Sequence, residues 1–205
     1  MITPLASGTL SILQSKQVKR IEAMNFEYLN FIRQFGKMPS GQAVLGAIPE
    51  EVLKFILSAK PGAIRQIAEC GHNLTTLRQT RPRALLAYGE AKLEVVTNEV
   101  SPQPLIMQRV VQQLNLDYLS TAKEFIGTRH GKFLFGLSPE LDVAMDAISL
   151  MEIVQIRRCG QLLITLRVLS ERHITALAEG GQNARAYSFL ATRGPKVAIY
   201  NKLGA

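Results

Sequence analysis

A chain of 205 residues with a net charge of +8, 47% hydrophobic and 6% aromatic content, no tryptophan and two cysteines is long enough to bury a core without covalent staples. Two cysteines exclude a disulfide framework, and with no signal-peptide pattern at the amino terminus they predict a reducing, cytoplasmic setting. No apolar run reaches the roughly 18 to 20 residues a membrane span needs, while the positive charge favours an acidic partner and the few aromatics favour phosphate contacts to a duplex over base stacking along a single strand.

Residues 1–14 are small and apolar with Pro4 and Gly8, and read as a loose arm. From Ser15, Val18, Ile21, Met24, Tyr28, Phe31, Ile32 and Phe35 recur at three- and four-residue spacing until Gly36, which predicts a helix. Its broad apolar face predicts burial against another helix, across a dimer interface. Residues 36–46 read as a connection. Pro49 then opens a short helix EEVLKFILSA with acids in its first turn, and a further helix starts at Pro61 and ends at Cys70 and Gly71. Gly71 suits a left-handed turn position. For residues 72–80, a short helix and an extended conformation are both open. QTRPR (79–83) is a basic connection, residues 84–96 return to helical spacing, and TNEVSPQP (97–104), with two prolines, marks a boundary.

Beyond that boundary the chain repeats itself. Residues 64–78, IRQIAECGHNLTTLR, and 153–167, IVQIRRCGQLLITLR, share nine identities at an offset of 89, among them Cys70/Cys159, Gly71/Gly160, Thr76/Thr165 and Arg78/Arg167. Tyr28/Tyr118, Leu29/Leu119, Phe35/Phe125, Gly46/Gly136, Pro49/Pro139 and Glu50/Glu140 agree at an offset of 90, which places a one-residue deletion between Pro139 and Ile153. A helix is predicted over 105–126 with Leu105, Val110, Leu114, Tyr118, Leu119 and Phe125 in the core. Residues 138–151 repeat the proline-opened helix, and Ser149 with Glu152 forms a capping box for the next one. The last residues, 182–205, are a basic tail that either adds a strand or docks on the core. The reading is therefore a mainly all-α chain of two tandem modules, 1–97 and 98–205.

The segments LNLDYLSTAKEFI, FGLSPELDVAMDAIS and EIVQIRRCGQLLITLR of the second module resemble FlhD, the D subunit of the bacterial flagellar master regulator. The first module carries the same pattern in YLNFIRQFG, LGAIPEEVLKFILS and IRQIAECGHNLTTLR. Because members of that family form homodimers, the resemblance implies tandem FlhD-like modules folded as a single-chain pseudo-dimer. It also implies an FlhC-like partner subunit, double-stranded DNA as ligand, and a role as transcriptional activator. The duplicated, basic form resembles regulators on integrative and conjugative elements, which act on transfer genes. Homo-oligomerisation is a further expectation.

IAECGHNLTTLR also approximates the turn of a helix-turn-helix, with Thr75, Thr76, Arg78 and Gln79 opening a recognition helix and Arg81 and Arg83 reaching phosphates. The alternative is a plain helical hairpin that turns at Gly71. Since Asn73 and Thr75 are replaced by Leu162 and Ile164 in the second copy, the first copy is expected to be the more exposed. Cys70, His72, Cys159 and His173 lack zinc-type spacing, so no metal is expected. No nucleophile elbow or phosphate-binding glycine motif occurs, so no cofactor and no enzymatic activity is expected. A helical adaptor that holds a protein partner without touching nucleic acid is the competing reading.

Overall fold

The computed structural model describes residues 6–46, 48–77, 105–127, 135, 139–156, 161–167 and 170–180. They form a mainly helical protein. The order is α1 (Ala6–Phe35), α2 (Pro39–Leu45), α3 (Glu50–Ser58), α4 (Pro61–Ala68), β1 (Thr75–Leu77), α5 (Leu105–Glu124), α6 (Pro139–Ala147), α7 (Leu150–Ile156), β2 (Ile164–Leu166) and α8 (Glu171–Glu179).

Helix α1 buries Ile21, Met24, Tyr28, Phe31, Ile32 and Phe35 of the predicted stripe together with Leu29, while Val18, also expected there, is half-buried. The helix starts at least as early as Ala6, so most of the expected loose arm is helical. Its apolar face is covered within the chain, by α5, α4, α3 and α2, rather than across a dimer interface. The presumed connection after Gly36 contains α2, started by Pro39 at its first position. Gly41 lets α2 approach the end of α1, since a Cβ there would lie 1.9 Å from the Phe35 carbonyl oxygen.

Helix α5 buries Leu114, Tyr118 and Leu119, with Phe125 just beyond its end. Leu105, expected in the core, is instead 73% exposed, because it is the helix's first residue and precedes the turn at which packing begins with Met107. Tyr118, Phe125 and Phe135 form an aromatic cluster: the Phe135 ring lies 5.4 Å from Tyr118 edge-on and 5.5 Å from Phe125. The Tyr118 hydroxyl donates to the Phe135 carbonyl at 3.3 Å.

The proline-opened region of the second half is two helices, α6 and α7. Ser149 and Glu152 cap α7 reciprocally, with Ser149 N–H donating to the Glu152 carboxylate at 2.7 Å and Glu152 N–H to the Ser149 hydroxyl at 3.2 Å. Helices α3 and α6 are each nine residues long, starting at Glu50 and Pro139. Ile56 and Met145 are both fully buried in them. The end of α6 thus follows the offset of 89, while its first two residues, Pro139 and Glu140, keep the identities at an offset of 90.

Helix α8, capped by Ser170, whose hydroxyl accepts from His173 N–H, packs on α3 and α4 of the first half. The buried apolar residues of both halves form one cluster. Residues 84–96, the 97–104 boundary and the basic tail lie outside the described residues.

Candidate functional site

The repeated stretches meet at the centre of the molecule. β1 pairs antiparallel with β2, Thr75 opposite Leu166, Thr76 opposite Thr165 and Leu77 opposite Ile164. Thr76 therefore faces its own repeat counterpart, and the flanking pairs exchange places about it, as a local two-fold axis requires. Arg167 N–H extends the ladder to the Leu74 carbonyl at 2.7 Å.

One asparagine in each half builds the approach to its strand. Asn25, buried on α1, donates to the carbonyls of Ala68 (3.0 Å) and His72 (2.8 Å) and accepts from Leu74 N–H (2.9 Å). Asn115, buried on α5, donates to the Gln161 carbonyl (2.8 Å) and accepts from Leu163 N–H (2.9 Å). A buried peptide group left unpaired is costly, so these amides fix where each chain leaves its helix and turns extended. Their identity at an offset of 90 was visible in the sequence, but polar residues on an apolar stripe escape a search for core spacing.

Local chemistry explains why β1 is a strand. Asn73 Oδ1 accepts from Thr75 N–H at 3.1 Å and from the Thr75 hydroxyl at 2.8 Å, while Leu74 N–H is taken by Asn25. Donors that a helix would aim at preceding carbonyls are committed elsewhere, and the β-branched threonines favour the pleat. Gly71 holds a φ of +79°, the left-handed turn its sequence position predicts.

The recognition helix expected to begin near Thr75 and Thr76 does not form, and the simple helical hairpin does not form either. Thr75 is 2% exposed with its hydroxyl occupied, and Thr76 is half-buried. The first copy is no more exposed than the second: β1 and β2 have the same burial pattern, and Thr75 and Ile164 are equally inaccessible. The polar first copy is accommodated because the Asn73 carboxamide oxygen and the Thr75 N–H and hydroxyl bond one another, although the buried Asn73 Nδ2 finds no partner among the described residues. Arg78, Gln79, Arg81 and Arg83 lie outside the described residues. Arg167, the counterpart of Arg78, donates to the Asn73 carbonyl across the strand pair at 3.4 Å.

Beside this centre, His72 Nδ1–H donates to the Cys70 carbonyl at 3.3 Å. Burial, against that hydrogen bond and with Arg167 and His173 adding to it, lowers the His72 pKa to about 4. Burial also lowers that of His173 and pushes the Cys70 thiol up to about 12. A neutral imidazole beside a protonated thiol is packing material rather than a nucleophile and its base. Cys159 lies outside the described residues. Among the described residues no group of three potential metal ligands gathers, and no helix is long and apolar enough to cross a membrane.

The geometry thus defines a helical protein whose repeat-related halves close on each other through a buried strand pair. Residues 106–194, somewhat less than half of the chain, match the family described as flagellar transcriptional activator (FlhD). No curated protein and no solved structure matches the chain. The second half is thereby similar to a family of transcriptional regulators.

Proposed function

We propose that this chain is a cytoplasmic, DNA-binding transcriptional activator: two tandem FlhD-like modules, 1–97 and 98–205, folded as a single-chain pseudo-dimer that acts with an FlhC-like subunit. The observation that carries the reading is the family match over residues 106–194. The two-fold register of β1 and β2 supports the pseudo-dimer, because one chain then supplies both sides of an interface that two copies of a single module would otherwise form. The shared core and the packing of α8 on α3 and α4 support modules that fold together. The net charge of +8 supports a polyanionic ligand.

Arg78, Gln79, Arg81 and Arg83, which follow β1 in the sequence, are the proposed DNA contacts, and promoters of conjugative transfer genes are the proposed targets. With its FlhC-like neighbour, the protein is expected to retard cognate promoter DNA at low salt and to lose it steeply as salt rises. Failure to bind at low salt would remove the proposal.

The adaptor reading draws on Leu105, Ile106, Val143, Leu150 and Met151, large apolar side chains exposed in the second half. Charge reversal at Arg78, Arg81 and Arg83 separates the two: a regulator loses DNA binding and keeps its partner, whereas an adaptor binds no DNA before or after the change and keeps its partner.

A further inference from the structure

The outer face of α1 carries an open groove of about 520 Å³ lined by Asn30, Arg33, Gln34, Lys37 and Leu57. The four polar residues follow α1 and its end at three- and four-residue spacing, so they share one side. Two cations and two amides line it, with no carboxylate among the lining residues. None of the four has a hydrogen-bond or ion-pair partner among the described residues.

The corresponding surface of the second half is used up internally. At an offset of 90 the same positions are Ser120, Lys123, Glu124 and Gly127. Lys123 Nζ donates to the carbonyls of Met145, Asp146 and Ile148, closing the end of α6. Glu124 pairs with Arg20 of α1, whose guanidinium also reaches the Ser120 hydroxyl. Gly127 N–H donates to Asp142. Repeat-related positions therefore serve the fold in one half and are left open, with a purely basic and amide character, in the other.

We propose that this groove contacts the sugar–phosphate backbone of duplex DNA, with Arg33 and Lys37 on phosphates and Asn30 and Gln34 on neighbouring sugar or base edges. This rests on the regulator reading above. The residue types are those that position proteins on a duplex. A protein partner fits less well, because Leu57 is the sole apolar lining residue and the groove lacks the aromatic or aliphatic centre that anchors protein interfaces.

The test compares the full chain, alone and with its FlhC-like partner, with R33E/K37E, N30A/Q34A and K16E/K19E. The last makes the same charge change at exposed positions nearer the start of α1. Binding to a labelled mixed-sequence DNA duplex is measured over a salt series. The expected result is a loss of about tenfold or more for R33E/K37E, with the slope of log affinity against log salt shallower by about 2, a smaller loss for N30A/Q34A, and near-parental binding for K16E/K19E.

Melting temperatures should match the parent, as neither cation of the groove bonds a described residue through its side chain. Should R33E/K37E melt early, R33Q/K37Q carries the same comparison. If the parent binds and the two charge-reversal variants weaken equally, or not at all, the groove assignment is overturned and the regulator reading stands. If R33E/K37E keeps DNA and loses the protein partner, the groove belongs to that partner and the assignment is likewise overturned. If the parent binds no duplex in either form, both readings fall.

Discussion

The two halves reach the same backbone with different bonds. In the first, Asn25 ties down three backbone groups, Asn73 and Thr75 bond each other, and His72 is buried beside Cys70. In the second, the matching positions are Leu162, Ile164 and an exposed Gln161, and the approach to the strand hangs on Asn115. Burial at the strand pair is the same in both, so apolar packing and a largely internal polar network give the same burial there. What differs is degree: beside the strand pair the first half depends on more polar bonds and carries the buried His72, where the second half has the exposed Gln161.

The largest effect should come from the asparagines. Asn25→Leu strands two carbonyls and one N–H and is expected to cost about 4 kcal/mol, against about 3 kcal/mol for Asn115→Leu, which strands one of each among the described groups. Chemical denaturation of each variant measures both; equal losses below about 1 kcal/mol would show that the amides do not organise the strands.

Acid should break the comparison next. The pKa of His72 falls to about 4 in the folded protein from its ordinary 6.5, so the unfolded chain binds more protons between these values. Stability is full above pH 6.5 and lost as pH falls to about 4, by about 3 kcal/mol, with His173 acting in the same direction. Urea midpoints across that range should flatten in His72→Gln, which installs the second half's residue. An unchanged slope in the variant would place the sensitivity elsewhere.

Lys123→Met should cost about 2 kcal/mol by uncapping α6, whereas Arg33→Met at the matching position of the first half should leave the melting temperature unchanged. Helix caps give the smallest contrast. Ser149→Ala should lose about 1 kcal/mol, while Lys60→Ser, at an N-cap that has no side-chain bond in the first half, should gain up to about 1 kcal/mol. Thermal unfolding of the pair checks the opposite signs.

Much of this was readable before folding. The helical stripes of α1 and α5, the proline-started helices α3 and α4, the left-handed Gly71 and the Ser149/Glu152 box each depend on residues within a turn or two of one another. Three features were not. The α2 helix hides in a Pro- and Gly-containing stretch because its Gly41 is required by contact with Phe35 rather than by a turn. The groove residues Asn30, Arg33, Gln34 and Lys37 read as an ordinary solvated face until their counterparts in the second half are found to be consumed by internal bonds.

The third is the strand pair itself. By itself, the sequence determined the helical class, the internal sequence identities and the turn at Gly71, because those follow from periodicity, caps and residues close together along the chain. Whether TTL and ITL become helix or strand was left to the tertiary structure. The groups that decide it, Asn25 on α1, Asn115 on α5 and the opposing strand, are brought in from 43 to 94 residues away, and a three-residue segment has too little preference of its own to resist them.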